Sequence, residues 1–218
     1  MKQTVVSSPP DAEPSQRDKA YQALRRLLIL QQVPEGERLR EPVWAKQLGV
    51  NRMALREAFA RLEAEGLIER GPKTGYFVPR LTPEDIREIR EVRASLEAMA
   101  IRGIIQQKRN TRRHLEPLQR AIDQLAEMIE NDYTLGTSES DRRFHEQLVE
   151  LAGNRRLTMI YLRAPLPMIH ASLINTMQWR PAMQKTLREH CTILEYLLKG
   201  DTNRAESALY DHLSEHPQ

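Results

Sequence analysis

The sequence predicts a mainly α protein in two parts: an N-terminal winged helix-turn-helix with a small β-hairpin wing, then an all-α bundle of six or seven helices. Three observations carry that prediction. Apolar residues recur at spacings of three and four along most of the chain, the signature of amphipathic helices. A glycine-bounded strand–turn–strand pattern occurs near residue 70, and from Thr82 onward there is too little alternation to build a sheet. The boundary falls near residue 80, leaving 1–15 as a Pro- and Ser-rich tail, 16–80 as the first domain and 81–218 as the second.

The elements follow in order. Ser15 with Asp18 three residues on resembles a capping box, and Ala20, Leu24, Leu27, Leu28 and Gln31 then mark one face of a helix over about 16–32. Pro34 and Gly36 break it. Val43, Trp44, Ala45 and Leu48 form a short helix that Gly49 stops, and Asn51 caps a third helix over about 52–65 with Leu55, Ala58, Phe59 and Leu62 inward. "GLIERGPKTGYFVPR" reads as the hairpin wing. Beyond it, "TPED" at Thr82 is a capping box with proline at the first helical position, and Ile86, Ile89, Leu96 and Ala100 mark an apolar face that also holds Arg93. Loops near Asn110, Gly136 and Asn154 separate further helices, and the segments from Trp179 and from Asp201 complete the bundle.

Composition excludes several classes. No apolar run is long enough to span a bilayer, and the first fifteen residues lack the apolar centre of a signal peptide, so the expected compartment is the cytoplasm. The single cysteine, Cys191, forms no internal disulfide and reads as a small buried hydrophobe. Net charge is +3, and the positive excess sits in residues 1–80, with 14 Lys and Arg against 10 Asp and Glu. That asymmetry suits a nucleic-acid-binding module joined to a neutral one.

A helix-turn-helix reads DNA by laying the start of its second helix in the major groove. Here that end carries Asn51, Arg52, Met53 and Arg56, and arginine is the side chain whose fork matches guanine. Arg40 before the second helix, and Lys73 and Thr74 at the wing tip, are placed for phosphate or the minor groove. The alternative is a protein-contact module whose arginines are solvated surface.

"PEGERLREPVWAKQLGVNRMALREAFARLEAEGLIERGPKTGYFV" resembles the winged helix-turn-helix of the GntR family of bacterial transcription regulators. The matching positions are the Pro34 to Leu39 turn, "LGV", Arg52, "REA" from Arg56, "EGL" from Glu65 and "GYFV" from Gly75. The family's usual Ser-Arg-Thr-Pro-Val-Arg is replaced here by Asn51 to Arg56, so the threonine hydroxyl at Met53 is lost.

In the second part, Asp141 and His145 lie one helical turn apart, on a face shared with Leu148 and Ala152. His190 runs with Ile193, Leu194 and Leu197, and His212 with Ala205, Ala208 and Leu209. A buried histidine is more often a hydrogen-bonded core residue than a ligand. Three such imidazoles and one carboxylate from three helices weigh about evenly for a divalent transition metal. Residues 81–218 resemble the ligand-binding domain of the FadR-type branch of the same family, in which Asp-x-x-x-His, a later Glu-His and a near-terminal His hold a metal. The resemblance therefore implies that Asp141, His145, His190 and His212 bind a divalent ion, zinc or nickel, and it matches the branch's Arg-x-x-x-Glu to Arg93 and Glu97. Arg93 is expected to bind an anionic effector, its other role being to anchor Glu97.

The enzyme alternative is a metal-dependent active site in the bundle, but "HEQLV" lacks the second histidine of a zinc-protease helix and no phosphate loop or nucleophile elbow occurs. The expectation is a homodimeric transcription regulator, a repressor rather than an enzyme. It would read a roughly palindromic double-stranded operator and answer a small carboxylate.

Overall fold

The computed structural model describes residues 15–71, 75–163 and 176–214. Helix α1 (Gln16–Ile29) begins where the Ser15 hydroxyl accepts from the Asp18 amide. It ends earlier than its apolar pattern suggested. Gln31 takes a left-handed φ of 51°, which turns the Gln32 amide back onto the Leu27 carbonyl at 2.8 Å and closes the helix end in the manner usually served by glycine. Strand β1 (Arg38–Leu39), α2 (Glu41–Leu48) and α3 (Arg52–Ala64) follow, with Gly49 at φ 65° ending α2 and the Asn51 side chain accepting from the Ala54 amide at 2.8 Å to start α3.

The wing strands are β2 (Glu69–Arg70) and β3 (Tyr76–Phe77), and the two residues expected at its tip, Lys73 and Thr74, lie outside the described residues. The sheet has three antiparallel strands in the order β1-β3-β2, because Arg38–Leu39 pairs with Tyr76–Phe77 on the side away from β2. That third strand was not in the sequence pattern, which shows no alternation over two residues. Leu39 turns inward from β1 to join Leu24, Leu55, Phe59, Leu62 and Ile68 in one core, each at most 1% exposed. Full burial of each such side chain stabilises by roughly 1.5–3 kcal/mol.

The second core is helical. Among the described residues it is built by α4 (Pro83–Gln106), α5 (Glu116–Glu130), α6 (Thr134–Leu151), α7 (Arg155–Arg163), α8 (Trp179–Lys199) and α9 (Thr202–Ser214). Thr82 and Asp85 form the reciprocal capping box that starts α4. The break before α6 falls at Asp132, which adopts φ 51°, and Gly136 lies inside α6 rather than in a loop. Cys191 is exposed on α8, not buried, because it sits beside His190 and points off the inward stripe.

Helices α4, α6 and α8 run parallel. Glu97 of α4 meets His145 of α6 at 2.7 Å, and near the far ends the Gln107 amide donates to the Ala152 carbonyl at 3.2 Å. Arg180 at the start of α8 pairs with Asp132 just before α6 at 2.6 Å, and further along His190 approaches Asp141 to 3.5 Å. This shared direction stacks the polar side chains of the three helices in layers. Among the described residues, no helix is long and apolar enough to cross a membrane.

Candidate metal centre

Asp141 and His145 from α6, His190 from α8 and His212 from α9 converge, each offering one ligand atom, with all four atoms within 4.8 Å of one another. The three histidines are at most 2% exposed. They reach one point because α6 places Asp141 and His145 one turn apart, and Ile193, Leu194, Leu197 and Leu209 seat α8 and α9 in the core around them. Phe144 stacks on the His190 ring at 3.8 Å and closes that side against water.

The proton positions follow from the neighbours. The His145 Nδ1–H donates to Glu97 Oε2 at 2.7 Å and the His212 Nδ1–H donates to Glu189 Oε2 at 2.8 Å. Carboxylates only accept, so both rings carry their proton on Nδ1 and turn an Nε2 lone pair toward the centre. Those two Nε2 atoms face each other at 3.2 Å. Two lone pairs at that range repel unless a cation lies between them, and nitrogens sharing one tetrahedral zinc sit roughly 3.3 Å apart. Asp141 Oδ1 points into the same space, 3.5 Å from His190 Nε2 and 3.9 Å from His145 Nε2, buried and without a hydrogen bond. The residues therefore fit a divalent transition metal: three neutral imidazoles, one carboxylate oxygen still lacking a hydrogen bond, and carboxylates behind two of the rings.

Electrostatics agree. Burial pushes the His145 imidazole below its ordinary value, which keeps it neutral as a ligand must be. Burial opposes ionisation of Glu97 too, but His145 and the Arg93 guanidinium beside it overcome that and hold the carboxyl at about 2. Arg93 donates from Nε to Glu97 Oε1 at 3.1 Å, and the Tyr161 hydroxyl donates to the same oxygen at 2.8 Å. Burial works against the charge on Arg93, and Tyr161, Glu97 and Asp141 outweigh it, so its pKa is raised. Arg93 thus sits at the edge of the centre, already anchoring Glu97. Sequence reasoning missed that Glu97 and Glu189 orient ligand imidazoles. For Glu189 the adjacent His190 was the available signal; Tyr161 left none.

At the other end of the chain, Arg40, Arg52 and Met53 are exposed, Met53 at 63%. Arg56 projects from α3 with Glu41 holding its Nε at 2.8 Å. Asn51 is committed locally, its oxygen capping α3 and its amide donating to Gln16 at 2.8 Å. An exposed basic end of α3 is what a major-groove reader requires.

The family model described as bacterial regulatory proteins, gntR family, matches residues 16–78, and the FCD domain model matches residues 88–215. An uncharacterized HTH-type transcriptional regulator of Bacillus subtilis, YdhC, is 29% identical over 89% of this chain and 86% of its own. The HTH-type transcriptional repressor RspR of Escherichia coli is 26% identical over 89% of this chain and 84% of its own. Among solved structures, E. coli McbR/YncC superposes with a TM-score of 0.72 at 20% identity, covering 92% of this chain and 94% of that one, which shows a shared fold. These sequence relatives are regulators of transcription and not enzymes.

Proposed function

Because the chain belongs to the gntR family of bacterial regulatory proteins and carries an FCD domain, we propose that this transcriptional regulator is a metal-dependent sensor of a small carboxylate that represses its target by releasing or holding a palindromic operator. The observation that carries the sensor reading is the pair of Nε2 lone pairs facing each other at 3.2 Å beside a carboxylate oxygen without a hydrogen bond. Zinc or nickel suits those donors better than calcium or magnesium. When bound, the metal supplies a positive centre with positions for an effector oxygen, and Arg93 at its edge supplies a second positive group. The division of labour is a DNA reader over 16–80 and a sensor over 81–218, working in the cytoplasm.

Arg40, Arg52, Met53 and Arg56 approach the DNA in this reading, with Asn51 fixing the start of α3 and Lys73 and Thr74 reaching from the wing. A homodimer supplies the second half-site. Val92 and Met99 on α4, each 50% exposed, and Ile160 on α7, 57% exposed, offer apolar surface for a second copy.

Metal analysis of the dialysed chain tests the centre. One equivalent of zinc or nickel is expected after reconstitution, falling to background when Asp141 and His190 are both replaced by alanine. A parent that takes up none overturns the reading. For the effector, Arg93→Ala is expected to weaken carboxylate binding, and an unchanged affinity for a verified carboxylate would leave Arg93 as the anchor of Glu97 alone.

A further inference from the structure

One turn below the metal ligands the bundle carries a second polar layer. On α4, Arg90, Arg93 and Glu97 form one stripe at spacings of three and four; on α6, Ser138, Asp141 and His145 form another with the same spacing. On α8, Thr186 precedes His190 by one turn. Because the three helices are parallel and Glu97, His145 and His190 lie near one level, Arg90, Ser138 and Thr186 share the next level, ~5 Å beneath Arg93 and Asp141. Thr186 is 1% exposed and Ser138 4%, so the hydroxyls lie inside the protein.

Two groups of this layer lack partners. Thr186 Oγ1 and Arg90 Nε are buried atoms with no hydrogen bond, and among the described residues Arg90 has no carboxylate within ion-pair distance. A helical threonine commonly returns its hydroxyl to the carbonyl four residues back, as Thr137 does to Tyr133 at 3.0 Å; Thr186 does not. Burial and the neighbouring Arg93 charge both act against the Arg90 cation, a conflict that an anion at this level would relieve.

We propose that Arg90, with the Thr186 and Ser138 hydroxyls, forms an oxyanion subsite one turn below the metal, which makes the effector a short dicarboxylate. One carboxylate addresses the metal and Arg93. The other is received by the Arg90 fork and the hydroxyls, and a short carbon chain spans the intervening turn. This rests on the metal-and-carboxylate reading above and narrows it to a substrate class.

Calorimetry on the zinc-loaded full-length chain, with succinate and glutarate against the monocarboxylate butyrate, tests the subsite. The parent is expected to bind at least one of the two dicarboxylates tenfold or more tighter than butyrate. Arg90→Gln should reduce dicarboxylate affinity to the butyrate level while leaving zinc content and butyrate affinity unchanged, and Thr186→Val should cost several-fold. If Arg90→Gln does not fold, Arg90→Lys and Thr186→Val carry the test. Equal binding of both classes by the parent, or a preference that survives these substitutions, overturns the subsite and leaves the carboxylate reading intact. Binding of neither class overturns that reading and the subsite with it.

Discussion

At the scale of single residues, the centre depends on protons as much as on ligands. Glu189 accepts the Nδ1–H of His212, so Glu189→Gln leaves a neutral acceptor where a charged one held the tautomer. Zinc affinity is expected to fall about 10–100-fold, read by competition with a chromophoric chelator. An unchanged affinity would mean that Glu189 merely covers the ring. The same nitrogens set the pH dependence. A proton on Nε2 excludes the metal, so affinity falls as pH drops; burial lowers the His145 pKa from its usual 6.5, so proton competition at that ring starts only beneath the ordinary histidine range. Affinity should be nearly level from pH 8 to about 6.5 and weaken below that. Affinity that stays level down to pH 5 would argue against imidazole ligation.

At the scale of elements, the sequence was most informative where a residue type has one physical use. Ser15, Asn51 and the Thr82–Asp85 pair begin helices because their oxygens accept the free amides of a first turn, and Gly49 ends α2 because it tolerates a left-handed φ. The end of α1 and the start of α6 were read less well because Gln31 and Asp132 take that same backbone state without being glycine, and Gly136 sits in a helix. The four metal ligands were legible as stripes on their own helices. What joins them, Glu97 to His145 across 48 positions and His212 to Glu189 across 23, depends on helix packing that spacing does not encode. Helix α3 carries the prediction at this scale. Arg52 and Arg56 lie on its exposed first turns. Alanine at either position removes one bidentate pairing with a base and should weaken specific operator binding by about 1–3 kcal/mol in matched salt. If neither variant discriminates less between operator and random DNA, α3 does not read bases through these arginines. Glu41, which holds Arg56 at 2.8 Å, should share the phenotype more weakly.

At the scale of the whole molecule, the metal can influence DNA only through an element that touches both parts, and α6 does. Asp141 and His145 face the centre, while Glu139, about a quarter-turn or more around the same helix, forms an ion pair with Arg25 of α1. Arg25 is 7% exposed and also donates to Glu65 at 3.0 Å, the residue that caps the end of α3, which in turn accepts from the Tyr21 hydroxyl at 2.5 Å. Arg25 therefore lies between the last turn of α3 and the helix that carries two metal ligands. Any effector that shifts α6 changes the energy of this bridge, and linkage requires a difference of roughly 1–3 kcal/mol between the two states to be felt at the operator. Arg25→Met keeps most of the side chain's packing but leaves Glu65 and Glu139 without their shared cation. Both carboxylates are partly exposed, so the expected loss of stability is about 1–3 kcal/mol, less than for a fully buried pair. Zinc stoichiometry and carboxylate affinity measured without DNA should remain at parent values. The change in operator affinity on adding effector should shrink toward zero, read by anisotropy titration with and without ligand. If the variant responds as fully as the parent, coupling passes through the chain connection between β3 and α4 or through the dimer instead, and the Arg25 bridge only stabilises the resting arrangement.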